Sequence, residues 1–106
     1  MIKLSDILNK VSIKLNASIE NKDELLSDLV NLAGISGNIS DLEKALSDVI
    51  TREDIMSTGV GKGIAIPHAK TTAISKTVAA LITLNNYVDY DSLDKKPVNI
   101  AFLLLS

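Results

Sequence analysis

Three observations predict an α/β fold. Two stretches, Asn21 to Gly34 and Ser40 to Arg52, carry apolar residues at the three-to-four spacing of amphipathic helices. Two later stretches, Thr77 to Leu84 and Val98 to Leu105, are near-continuous apolar runs of strand length. The chain has 106 residues, 46% hydrophobic and 23% charged, which suits one domain spanning 1–106. Folding at that size hides somewhat less than about 70% of the unfolded surface, so any functional site is expected to be shallow.

The elements follow in order. Leu4 to Asn9 is expected to form a short helical turn capped by Ser5, after which Val11, Ile13 and Leu15 alternate with polar residues as in a half-buried strand. The first long helix opens at Asn21, with Glu24 three residues on as a capping pair. Its stripe is Leu25, Leu26, Leu29, Val30, Leu32 and Ala33, and Gly34 and Gly37 end it. Ser40 and Glu43 repeat the capping signature ahead of Leu42, Ala45, Leu46, Val49 and Ile50, with an end near Arg52. Ser57, Thr58, Gly59, Gly61 and Gly63 read as a flexible loop, and Ile64-Ala65-Ile66 as a short strand running into Pro67-His68.

The two apolar runs show no polar alternation and so predict central strands covered on both faces. A polar connection of Asp89, Asp91, Ser92, Asp94, Lys95, Lys96 and Pro97 joins them. The second run is followed directly by Ser106, and a buried strand needs a covering layer on each face. Either a fragment or cover from another chain, including a second copy, is therefore expected.

Composition removes several function classes. Eleven basic against 13 acidic residues give a net charge of −2, which offers no field to a polyanion. Aromatic residues are 3% of the chain, too few for the stacking platforms of single-strand binders, so no nucleic acid partner is expected. The absence of cysteine excludes disulfides, thiolate catalysis and the usual structural zinc sites, and one histidine makes a dedicated transition-metal site a poor fit. The N-terminal residues contain no apolar run of signal-peptide length, and no stretch of membrane-spanning length follows, so a cytoplasmic protein without membrane insertion is expected.

His68 is the only histidine, so any imidazole chemistry must use it. A lone histidine is also compatible with a structural role, but this one follows Pro67, which fixes its own backbone angle and biases Ile66 to extended geometry. Gly59, Gly61 and Gly63 permit positive φ angles and close approach of backbone N–H groups to an anion, though they also suit a plain connection. They match neither the P-loop, which needs Ser or Thr after its Gly-Lys, nor the dinucleotide fingerprint, which needs a strand before and a helix after. Asp89, Asp91 and Asp94 lack the glycine and terminal glutamate of a calcium loop and read as a solvated turn.

The local chemistry suggests phosphoryl handling. An imidazole that is largely unprotonated near neutral pH is a competent nucleophile. Phosphoryl transfer asks little beyond alignment and stabilisation of spread charge. Arg52 offers a guanidinium fork for that charge, or else it satisfies carbonyls at its own helix end.

The segment from Arg52-Glu53 through Ser57-Thr58-Gly59-Val60-Gly61-Lys62-Gly63 to Pro67-His68-Ala69-Lys70 resembles the enzyme IIA domain of the fructose and mannitol class of the bacterial phosphoenolpyruvate-dependent sugar phosphotransferase system, its nitrogen-regulatory branch included. Asp91-Ser92-Leu93-Asp94-Lys95-Lys96-Pro97-Val98 and the following strand are similar to that family's downstream block, so the resemblance covers essentially the whole chain. It implies a mixed β-sheet flanked by helices, an α/β sandwich. It further implies a phosphoryl carrier that needs no cofactor and no metal. His68 would accept phosphate from the histidine-containing phosphocarrier protein and pass it to a IIB component, with Arg52 beside it and Ser57, Thr58, Gly59, Gly61 and Gly63 shaping the phosphate pocket. Family members continue past the strand matching Val98 to Leu105 into helices that bring a second histidine close, and this chain is expected to lack both. In the nitrogen-regulatory alternative, phosphorylation of His68 would instead switch binding to other proteins.

Overall fold

A computed structural model describes residues 12–106, so the expected turn at Leu4 to Asn9, and Val11, lie outside the described residues. The first strand, β1, is Ile13–Ala17. The helix α1 is Lys22–Gly34, capped as expected by Asn21, whose side chain accepts from the Glu24 N–H at 2.8 Å. The Glu24 carboxylate reaches one residue further back than a capping box does and accepts from the Glu20 N–H.

The second helix, α2, is Leu42–Ile55, and two details differ from expectation. Its cap is Asp41, which accepts from the Lys44 N–H at 3.0 Å. Ser40 is diverted, because its hydroxyl and its N–H both donate to the Ala73 carbonyl beside the Ile39–Ile74 bridge. The helix also runs a further turn past Arg52, since Glu53 in that turn is buried by partners from outside the helix.

The segment read as a flexible loop is a hairpin. Strands β2 (Gly59–Gly61) and β3 (Ile64–Ala65) pair antiparallel across Lys62 and Gly63. Those two residues have φ of 57° and 80°, the double positive φ that a two-residue hairpin of matching twist requires. Three further strands follow: β4 (His68–Ala69), β5 (Val78–Val88) and β6 (Val98–Leu105).

The strand order is β1-β5-β6-β3-β2, with β4 also on β6. The sheet is mixed: β1 runs parallel to β5, β5 antiparallel to β6, and β3 and β4 parallel to β6. Cross-strand partners share a face of the pleat, and here Ala80 with Leu103 and Ile82 with Ala101 are buried together with Leu25, Leu29, Val30 and Val49 of the helices. The alternate set behaves differently. Leu81 and Phe102 are half-buried and Ile100 is exposed. Among the described residues, then, the helices cover one face of β5 and β6, not the two that the apolar runs predicted. Ile13 and Leu15 are exposed as well, so the alternation of β1 does not mark a buried side.

Two substitutions separate these environments. Ile82→Ala, in the covered layer, is expected to cost about 2–5 kcal/mol, and Leu15→Ala, at 64% exposure, less than about 0.5 kcal/mol. Urea denaturation of the two variants reads the difference directly.

Candidate functional site

The strands β3 and β4 follow one line along β6, interrupted by a proline. Ile64 pairs with Ile100 and His68 with Leu104, so the register along β6 is unchanged across Ile66-Pro67. Proline has no N–H to give, but its carbonyl still accepts from Leu104 N–H at 3.0 Å. The Ile66 N–H points the other way and donates to the Thr58 carbonyl at 2.9 Å.

His68 is exposed at the start of β4, with its Nδ1 2.9 Å from the Ile66 carbonyl. A carbonyl oxygen can only accept, so Nδ1 carries the proton of the neutral ring and Nε2 carries the lone pair. The imidazole is thereby oriented by its own strand, two residues back, with the nucleophilic nitrogen on the far side.

The last turn of α2, packed beside β4, brings Arg52 to the same place. Arg52 and His68 line one depression of about 450 Å³ together with Asp48, Thr51, Ile55, Ala69 and Lys70. Nη1 of Arg52 donates to the Met56 carbonyl at 2.9 Å, which satisfies the helix end and also holds the guanidinium at the rim. One of its five donors is used there. Asp48 is the anionic member of the depression: its carboxyl lies below the usual carboxylate range, held by the Thr71 hydroxyl and by Lys44, whose Nζ is 3.4 Å away.

Behind the edge strand lies a buried polar cluster. Glu53 accepts from the Thr58 N–H at 2.9 Å, from the Thr58 hydroxyl at 2.6 Å and from Lys22 Nζ at 3.0 Å. The Thr58 hydroxyl proton is committed to Glu53, so the Tyr90 hydroxyl, 2.9 Å away, donates to Thr58 Oγ1. Lys22 Nζ stands 4.5 Å from the centre of the Tyr90 ring. Burial pushes the Glu53 carboxyl up, but the two Thr58 hydrogen bonds and Lys22 outweigh it and hold the group below the ordinary glutamate value. Burial pushes the Tyr90 hydroxyl well above its usual range.

Of the residues singled out from sequence, the structure brings Arg52 and His68 together. Ser57 lines a separate polar depression of about 480 Å³ with Lys22, Glu53, Ser92 and Lys95. Thr58 belongs to the buried cluster. Gly59 has no room for a side chain beside Ser92, and Gly61 and Gly63 lie against Asp94 and Asn99. The segment is thus linked toward the histidine by the bond between Thr58 and Ile66. Sequence reading missed Asp48 and Lys70 in the depression and Lys22 and Tyr90 in the cluster. The one signal for the cluster was Glu53, an acidic residue beside Arg52 in the same motif.

A family model described as phosphoenolpyruvate-dependent sugar phosphotransferase system, EIIA 2, matches residues 6–106. The chain is 34% identical over 103 residues to the fructose-specific EIIABC component of Bacillus subtilis, which covers 97% of the chain and 16% of that relative. It is 33% identical over 105 residues to the nitrogen regulatory protein of Pseudomonas aeruginosa, covering 99% of the chain and 68% of that relative. The crystal structure of nitrogen regulatory protein IIA-Ntr from Neisseria meningitidis superposes with a TM-score of 0.87 at 29% identity, over 96% of this chain and 69% of that one. The chain therefore spans a small part of the first relative and about two thirds of the others. No helix among the described residues is long and apolar enough to cross a membrane.

The Glu53 carboxyl carries a pH signature. Its pKa is lower folded than unfolded, so its stabilisation is full above the unfolded value near 4.5 and is lost as pH falls through the folded value. The gap in urea midpoint between wild type and Glu53→Gln is expected to be widest above pH 4.5 and to narrow as the pH falls below it.

Proposed function

The chain belongs to the EIIA 2 family of the phosphoenolpyruvate-dependent sugar phosphotransferase system, and from that premise we propose that it is a phosphoryl carrier whose acceptor atom is Nε2 of His68. The observation that carries this reading is the bond from Nδ1 to the Ile66 carbonyl, which leaves Nε2 as the basic nitrogen of an exposed ring. The donor is a histidine-containing phosphocarrier protein. As the Nε2 lone pair forms a bond to phosphorus, the P–N bond of the donor breaks and its electron pair returns to the donor imidazole. No proton need leave His68, because the one on Nδ1 stays there, donated in a hydrogen bond to the Ile66 carbonyl. A second transfer in the same sense delivers the phosphoryl group to a IIB component. The name of the Bacillus relative, an EIIABC component, supports that order of partners.

Arg52 supplies the charge. Four of its N–H donors remain beyond the one given to Met56, enough for a forked grip on phosphate oxygens. Lys70 lines the same depression and adds a second cation. Ser57, Thr58, Gly59, Gly61 and Gly63 shape this pocket at one remove, by fixing the edge on which Ile66 and His68 are held.

A second reading is favoured by the Neisseria structure: a nitrogen-regulatory protein in which phosphorylation of His68 switches binding to other proteins. Both readings use the same residues. They part in which phosphocarrier donates and in whether a IIB component accepts.

Incubation with phosphorylated carrier is expected to give acid-labile phosphate on wild type and none on His68→Ala; equal labelling of the two proteins would overturn the assignment. Arg52→Lys keeps the charge but loses the planar fork, so transfer is expected to slow by roughly tenfold or more with the unfolding midpoint little changed.

A further inference from the structure

The buried cluster has a direct line to the acceptor ring. Glu53 holds Thr58 by its N–H and its hydroxyl, and the Thr58 carbonyl receives the Ile66 N–H at 2.9 Å. The Ile66 carbonyl in turn receives Nδ1 of His68 at 2.9 Å. Each link in this series is a hydrogen bond with one sense only, because a carboxylate and a carbonyl accept and an N–H donates.

We propose that Glu53 is a positioning residue for phosphoryl acceptance: its carboxylate, through Thr58 and Ile66, sets the tautomer and the orientation of the His68 imidazole. The inference rests on the carrier reading above for its functional meaning, though not for its structural content. Glu53 never touches the phosphoryl group. Its effect comes from fixing the peptide at Thr58, where two donors of one residue are clamped by two oxygens of one carboxylate.

The geometry explains features that a merely space-filling role leaves idle. Thr58 needs a hydroxyl and not a methyl group, because Glu53 Oε2 would otherwise be buried with one acceptor unfilled. Lys22, arriving from the start of α1, supplies the counter-charge that keeps the carboxylate ionised inside the fold. Tyr90, from the connection between β5 and β6, closes the far side of the cluster, and it does so on Thr58 Oγ1 rather than on the carbonyl that faces Ile66. An amide in place of the carboxylate cannot accept at both positions, because its NH2 would meet one of the two Thr58 donors.

The test is the tautomer of His68, read by long-range nitrogen–proton correlation on labelled protein, beside the rate of labelling by phosphorylated carrier. Wild type is expected to show the Nδ1–H form. Glu53→Gln is expected to give a mixture of the two forms and to accept phosphate about tenfold to a hundredfold more slowly, by analogy with the loss of outer partners of a metal-bound histidine. Thr58→Ser keeps both donors to Glu53 and is expected to keep the Nδ1–H form. Tyr90→Phe removes a bond to Thr58 Oγ1 but leaves both Glu53–Thr58 bonds and the Thr58 carbonyl in place, and is expected to lose stability while keeping the tautomer. Should Glu53→Gln fail to fold, Glu53→Asp, whose shorter arm cannot reach both Thr58 donors, is read in its place.

An unchanged Nδ1–H form in the folded Glu53 variant overturns the inference, whatever the rate. Loss of that form in a protein whose wild type takes no label from the carrier sustains the structural link and overturns the carrier reading instead.

Discussion

Strand β6 is the constraint on which the rest is built. It pairs on one side with β5 and on the other with β3 and β4 in a single unbroken register. That register places Ala65 against Ala101 in the buried layer and His68 beside Leu104 on the opposite side of the pleat. A slip of one residue would exchange the two sets and turn the imidazole into the helix layer. The apolar side chains of β6 therefore do two things at once. They fill the core beneath α1 and α2, and they fix where the histidine can point.

The depression around His68 combines few parts with different rigidities. The ring is held by its own strand, whereas Arg52 is fixed by a helix end and keeps most of its donors free. Lys70 and Asp48 bring opposite charges to the same wall. In the carrier role proposed above, such a surface would neutralise a phosphoryl group and release it afterwards, since no buried charge would be created or stranded by either step. A shallow, solvated site would suit the handover between two proteins proposed above.

Much of this was legible in the sequence, for reasons that differ by element. The stripes of α1 and α2 follow a 3.6-residue period, and β6 was bounded correctly as Val98–Leu105 because its apolar run is sharply flanked by Pro97 and Ser106. An apolar run does not reveal whether one face or both are covered, which is why the half-exposed side of β5 and β6 was not foreseen. The hairpin at Lys62 and Gly63 escaped because lysine is not among the usual residues for a left-handed first position. His68 and Arg52 stood out through chemistry that few side chains possess. The cluster did not, because Lys22 and Glu53 come from two helices and Thr58 and Tyr90 from two connections, and only the fold shows that they meet.

The order of strands has a bearing on how the molecule comes into being. β1 finds its partner in β5, and the edge carrying His68 finds its partner only in β6, so the pairings that define the site are long-range ones. Contacts of that kind form late and slowly, because a large loop must close before any pairing energy is returned. During synthesis the histidine emerges well before the strand that aligns it. A nascent chain therefore displays His68 before β6 exists to pair with it, and the edge that carries the ring is complete only with that pairing.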